Sequence, residues 1–216
     1  MKTPGLLSLW ASLLLPAGAQ VVDINGVGYM NMTAPPGFTL LSDPLFVAGN
    51  TIATAFFKVT PAIPNGFRVS IFQGGIFQSI TFNSETAQFE PAEIANQPFF
   101  PGQGAFVFNP SSAPLTITFV GEILQGTLTN KLPAGLSLVA SIVPQTGTLK
   151  ELGFPGQPGD HVYLWNSTLQ RYETSFFDDI VNDWLPAPRP LTGGEAFFTR
   201  KRAAVDWVRT FDINHP

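Results

Sequence analysis

The chain contains no cysteine and is poor in charge and in histidine. Without cysteine it has no disulfides and no thiolate ligands for zinc, so its stability must come from a buried core and paired strands. Only 12% of the 216 residues are charged, about half the usual share. The two histidines, His161 and His215, leave few choices for a catalytic base.

Positive charge is also scarce, because the formal net charge is −4 and the longest run of cations is Arg200-Lys201-Arg202. Nucleic-acid-binding domains present a basic patch or stripe, so nucleic acid is not an expected partner. The Gly102-Gln103-Gly104 turn lacks the third glycine of a dinucleotide fingerprint and leads into an apolar strand. The acidic stretch 178–183 lacks the glycine and the closing glutamate of a calcium loop. No cofactor and no metal are therefore expected.

Glycine, proline and phenylalanine are abundant, with 20 residues of each. Glycine and proline mark turns, and aromatic side chains pack well on the pleated surface of a sheet. This composition predicts an all-β protein with many turns.

The first 19 residues have the pattern of a secretory signal. Lys2 supplies the positive start, Leu6 to Leu15 the apolar run, and Ala17-Gly18-Ala19 the cleavage site. The apolar run is shorter than the roughly 20 residues that span a bilayer. We therefore expect a secreted, periplasmic or cell-surface protein without a transmembrane segment after signal removal.

The remainder contains an internal duplication. Pro101-Gly102-Gln103-Gly104-Ala105-Phe106 is matched by Thr192-Gly193-Gly194-Glu195-Ala196-Phe197, and Gly37-Phe38-Thr39-Leu40-Leu41 by Gly135-Leu136-Ser137-Leu138-Val139. We predict two homologous, packed β units of small barrel or sandwich type, over residues 20–125 and 126–216. Each unit is expected to contain one short helix, the first beginning near Thr51 and the second at the capping box Thr148 to Glu151.

Each unit is also predicted to contain a β-hairpin followed by a long connection. The hairpins cover residues 67–82 and 162–177, and the connections cover 83–100 and 178–190. Loops longer than about 12 residues are uncommon in compact domains unless they are functional or disordered. We therefore place the candidate ligand-binding residues in or beside the two connections: Phe99, Phe100, Asp179, Asp183, Trp184 and Arg189.

Aromatic rings flanked by polar groups are a common way to hold sugars. The predicted function is an exported, non-catalytic interaction or structural module whose partner is a glycan or an envelope protein. The alternative is a hydrolase that acts on polysaccharide through two loop carboxylates. Its candidate carboxylates are Glu90, Glu93, Asp178, Asp179 and Asp183. No G-x-S-x-G motif occurs, and Asp160-His161 is better explained as the start of a strand.

Two motifs carry a resemblance to known proteins. Gly37 to Pro44 has the form Gly-Phe-x-Leu-Leu-Ser-x-Pro, and Pro101 to Phe106 has the form Pro-Gly-x-Gly-Ala-Phe. With the signal segment and Phe119 to Ile123, they resemble secreted β-rich tandem-repeat proteins of environmental Gram-negative bacteria. The resemblance implies export and architecture, and it transfers no catalytic residue.

Overall fold

A computed structural model describes residues 26–214, and over this range the protein is all β, as predicted. All of its strand pairs are antiparallel. The signal segment and His215 lie outside the described residues. The two predicted hairpins are confirmed, because the strands Arg68–Gln73 and Ile76–Asn83 pair directly, as do His161–Asn166 and Arg171–Asp178.

The first unit consists of a three-stranded and a five-stranded sheet. Its elements are β1 (Val27–Ala34), β2 (Gly37–Leu41), α1 (Ile52–Ala55), β3 (Val59–Thr60), β4 (Arg68–Gln73), β5 (Ile76–Asn83), β6 (Gln88–Glu90), α2 (Ala92–Ala95), β7 (Ala105–Asn109) and β8 (Leu115–Glu122). The three-stranded sheet has the order β1-β8-β3, and the five-stranded sheet has the order β2-β7-β4-β5-β6.

The second unit consists of a two-stranded and a five-stranded sheet. Its strands are β9 (Gly126–Leu132), β10 (Gly135–Ala140), β11 (His161–Asn166), β12 (Arg171–Asp178), β13 (Asp183–Leu185), β14 (Ala196–Lys201) and β15 (Val205–Phe211). The two-stranded sheet pairs β15 with β9, and the five-stranded sheet has the order β10-β14-β11-β12-β13. The two five-stranded sheets have the same connectivity. In the first unit, β2 pairs with β7, and β7 pairs with the hairpin strand β4. In the second unit, β10 pairs with β14, and β14 pairs with the hairpin strand β11. Common ancestry of the two units stays a prediction.

Each unit buries its own core between its two sheets. In the first unit, Ile117 and Phe119 of β8 belong to one apolar cluster with Val69 of β4 and Val107 of β7. In the second unit, Trp207 of β15 packs in a cluster with strands β10, β11 and β14. Alternation along the strands produces this arrangement, since every second side chain points to the same face of a sheet. The opposite faces of the five-stranded sheets are therefore left for other contacts.

Those opposite faces contribute the contact between the two units. A third apolar cluster joins Leu40 of β2 to Leu138 and Ala140 of β10 and to Ala196 and Phe198 of β14. The five-stranded sheets thus pack together through residues of their outer faces.

The two glycine turns complete the contact between the units. Gly102 has a φ of +92°, and its carbonyl accepts hydrogen bonds from Ala140 N at 3.0 Å and from Asn130 Nδ2 at 3.1 Å. In the second turn, the carbonyl of Gly194 accepts from Ser42 N at 2.8 Å. A side chain at Gly102 would lie 2.7 Å from Asn130 Nδ2, so the close approach requires glycine.

Two expectations about local structure are wrong. The segment after Thr148 forms a capped turn and no helix. Its capping box is present, because Thr148 N donates to Glu151 Oε2 and Glu151 N donates to Thr148 Oγ1, but Gly153 at a φ of +61° ends it after one turn. Conversely, the first unit has a second helix, α2, that was not predicted.

The long connections are not open loops. The first contains β6 and α2, and the second contains β13. Both short strands add to the edges of the hairpins, with Phe82 opposite Phe89 and Phe177 opposite Trp184. The connections are therefore part of the sheets, which removes the main reason for placing a site there.

Candidate functional site

Two of the six predicted ligand-binding residues are core residues. Trp184 is only 4% exposed and packs between Phe154 and Phe177, with ring centroids 5.9 and 5.3 Å away. Phe99 is 2% exposed and packs edge-on against Phe56. Neither ring is accessible to a ligand. Assigning them to an aromatic platform was therefore wrong, because β13 and the sheet contacts around α2 turn them inward.

The other four predicted residues do not converge on one site. Phe100 is exposed on the first unit, whereas Asp179, Asp183 and Arg189 belong to the second. Asp183 lies 4.0 Å from Lys150 Nζ, and Asp179 lies at the exposed tip of the β12–β13 hairpin. Within residues 26–214, these four residues therefore lie on two different units and do not form one common site.

Arg189 instead binds two carboxylates. Its Nη1 lies 3.0 Å from Glu195 Oε2, its Nε lies 3.4 Å from Glu173 Oε2, and its Nη2 donates to the carbonyl of Trp165 at 3.1 Å. The hydrogen bond to Glu195 raises the pKa of Arg189, although partial burial opposes this. Arg189 borders a cavity of about 270 Å³ that also reaches Thr39 and Thr192. Its cation is therefore already engaged within the protein.

A different surface, which we call the aromatic groove, has the features expected of a binding site. It lies beside the apolar cluster shared by the two five-stranded sheets, because Phe198 belongs to that cluster and Phe72 and Tyr163 pack against it. The groove has a volume of about 500 Å³ and is lined by Phe72, Phe77, Leu136, Tyr163, Tyr172, Phe198 and Arg200. Six of the seven side chains are apolar or aromatic, and one is a cation.

Alternation in the strands explains why these residues share the groove. On β11, Val162 and Leu164 point into the core of the second unit, so Tyr163 points outward. Tyr172 lies on the neighbouring strand β12, diagonal to Tyr163, because its direct partner in the register is Trp165. Phe77 comes from the first unit, at the tip of the β4–β5 hairpin. One wall of the groove therefore belongs to each unit.

The groove rings support one another edge to face. Tyr172 packs against Trp165 at 4.8 Å and against Phe198 at 6.1 Å between ring centroids. Across the boundary between the units, Phe198 packs against Phe72 at 5.4 Å and Phe77 at 6.1 Å. Such pairs stabilise an arrangement beyond the burial of area, so these contacts favour the arrangement in which the rings line the groove.

Part of this ring surface stays in contact with solvent. Phe77 is 50% exposed and Tyr172 is 42% exposed. The phenol of Tyr172 is protonated at neutral pH, as in any tyrosine, so it can donate a hydrogen bond, and partial burial raises its pKa further. The groove can therefore offer flat apolar faces together with a hydroxyl and a guanidinium.

The groove was not predicted from the sequence, because a site was expected only in or beside the long connections. A signal was present in the hairpin strands, where Tyr163 and Trp165 alternate with Val162 and Leu164. That pattern places aliphatic residues on one face of the sheet and large aromatic residues on the other, and the aromatic outer face then requires an explanation of its own. Nothing in the sequence indicates that Phe77 of the other unit lies opposite.

Over positions 26–214, no three His, Asp or Glu side chains come together as a metal site would require. In the same range, no helix has the length and apolar character needed to cross a membrane. Comparison of the chain with protein-family models, with curated proteins and with solved structures finds no match.

Proposed function

We propose that the protein is an exported, non-catalytic interaction module that binds a glycan in the aromatic groove. The observation that supports this most strongly is the set of half-exposed rings, supplied by both units and stabilised by edge-to-face contacts. Sugar rings have an apolar face that packs on an aromatic ring and hydroxyls that pair with polar groups. Tyr172 offers both in one side chain, and Arg200 adds donors at the rim.

The dimensions of the groove agree with this proposal. Its volume of about 500 Å³ lies within the range of roughly 300–1,000 Å³ that is typical of small-molecule sites. Several rings line it, so a ligand with repeating flat faces would meet more than one of them. A short oligosaccharide has that form.

The arrangement of carboxylates gives the hydrolase no specific support. Glu90, Glu93 and Asp179 are exposed, and Asp178 accepts hydrogen bonds from the amides of Ile180 and Val181 in its own turn. A glycosidase pairs a carboxylate with a second one across the bond to be cleaved. No carboxylate is among the residues that line the aromatic groove. We therefore favour binding without cleavage.

Glycan-array screening followed by calorimetry of the mature protein tests the proposal. We expect binding of at least one polysaccharide, weakened about 10-fold by Tyr172→Ala and by Phe77→Ala, because each removes a stacking face. Phe176→Ala is the matched control, since Phe176 is 43% exposed on the same strand and does not line the groove. Thermal unfolding of each variant separates lost binding from lost folding.

Two results would contradict the proposal. One is an array without signal for the folded wild-type protein. The other is binding that Phe176→Ala weakens as much as the two groove variants do. Release of reducing sugar from a bound polysaccharide would instead show that the protein is a hydrolase.

A further inference from the structure

The rim of the aromatic groove continues into a second depression with a basic lining. Arg200 borders both surfaces. The second depression, which we call the basic notch, has a volume of about 530 Å³ and is lined by Gly135, Gly159, Arg200, Lys201 and Arg202. The aromatic groove and the basic notch therefore meet at Arg200.

The cations of the notch differ in how far they are neutralised. Lys201 is fully buried, and its ammonium contacts Asp160 and the carbonyl of Pro155, so its charge is matched within the protein. Arg200 and Arg202 are exposed. Across the described part of the chain, neither guanidinium forms an ion pair with a carboxylate. Two positive charges are therefore available to an incoming group.

This local charge is opposite in sign to that of the whole chain, which is −4. No acidic residue lines either the groove or the notch. A guanidinium presents a planar fork of donors that matches the two oxygens of a carboxylate or a sulfate. The notch therefore favours an oxyanion at the same place where the groove offers an apolar ring face.

Resting on the proposed glycan binding, we infer that the ligand is an anionic saccharide. One of its sugar rings packs against Tyr172 or Phe77 in the groove, and its anionic group pairs with Arg200 and Arg202. The anionic group is the carboxylate of a uronic acid or a sulfate ester, since both present paired oxygens. A neutral polysaccharide leaves the two guanidinium groups without a partner.

Two matched pairs of polymers test the charge requirement. Polygalacturonate is compared with its methyl-esterified form, and dextran sulfate with dextran, in calorimetry at low and at physiological salt. We expect the anionic member of at least one pair to bind more tightly, with a preference that decreases as salt screens the charges. The responding pair identifies carboxylate or sulfate as the recognised group.

Variants then locate the charge requirement on the notch. We expect Arg200→Gln to weaken binding of the anionic polymer about fivefold, the size expected for an exposed ion pair, and Arg200→Gln with Arg202→Gln to weaken it further. Lys58→Gln removes the same charge from an exposed lysine that lines neither surface, and it should leave affinity unchanged. Equal losses of affinity for Lys58→Gln and Arg200→Gln would show that only the net charge of the protein matters, and would overturn the inference.

The inference and the proposed function fail in distinguishable ways. Equal binding of neutral and anionic polymers, still sensitive to Tyr172→Ala, would overturn the inference and leave glycan binding intact. Absence of binding to all four polymers, together with a silent array, would overturn both. Charge-dependent binding that Tyr172→Ala and Phe77→Ala do not change would contradict the proposed function, because the groove would then take no part.

Discussion

Asp43 supplies a pH dependence of stability that can be worked out from its surroundings. The residue follows β2 and is 3% exposed. Its Oδ1 accepts a hydrogen bond from Leu45 N at 2.9 Å, and its Oδ2 accepts one from Asn50 Nδ2 at 3.3 Å. Burial raises the pKa of Asp43 from 3.8 to about 6, although the two hydrogen bonds oppose the change.

The sign follows from proton binding. The folded protein holds the Asp43 proton more tightly than the unfolded chain does, so protonation favours folding. The stabilising contribution is fully present below pH 3.8 and is lost as the pH rises through about 6. At 1.36 kcal/mol for each pKa unit, the loss amounts to about 3 kcal/mol of the free energy of unfolding.

Urea unfolding of the wild type and of Asp43→Asn, followed by tryptophan fluorescence between pH 4 and 7.5, measures this contribution. The amide does not ionise, so we expect the stability of the variant relative to wild type to increase by up to about 3 kcal/mol across the range. Glu93→Gln, which removes an exposed carboxylate, controls for the loss of one charge. A difference between Asp43→Asn and wild type that is constant with pH would refute the reasoning.

Three further predictions concern stability, each measured by chemical unfolding. Gly102→Ala should destabilise the protein by about 1–3 kcal/mol more than Gly49→Ala. Both glycines have positive φ, but only Gly102 is crowded by the other unit. Equal effects of the two substitutions would contradict a role for this crowding. Trp184→Ala should cost about 3–5 kcal/mol as a core truncation, and a neutral effect would contradict its burial. Lys201→Met should cost about 3–5 kcal/mol because it leaves Asp160 buried without its cation; replacing Asp160 by Asn as well should recover part of that loss.

The hairpins were predictable from sequence because their residues alternate over six to eight positions. The all-β class was predictable from the abundance of phenylalanine and turn residues. The strands β6 and β13 have only three residues each, which is too short for a periodic pattern. Their segments therefore resembled loops, and the error in the candidate site followed from that.

The position of the candidate site could not be predicted for a different reason. Tyr163 and Tyr172 are diagonal neighbours in the register of β11 and β12, but Phe77 shares the groove with them only because the outer faces of the two five-stranded sheets pack together. That geometry depends on Leu40, Leu138 and the two glycine turns together. Long-range packing of this kind is not encoded in any short stretch of sequence.

The glycine turns also determine how the candidate site relates to the rest of the molecule. The aromatic groove lies on outer sheet faces, so most of its lining residues belong to neither sandwich core. Substitutions of aromatic or charged residues in the groove would therefore leave the hydrophobic cores of both units unchanged. Either half expressed alone would have only one wall of the groove, because Phe72 and Phe77 belong to the first unit, and Tyr163, Tyr172 and Phe198 belong to the second.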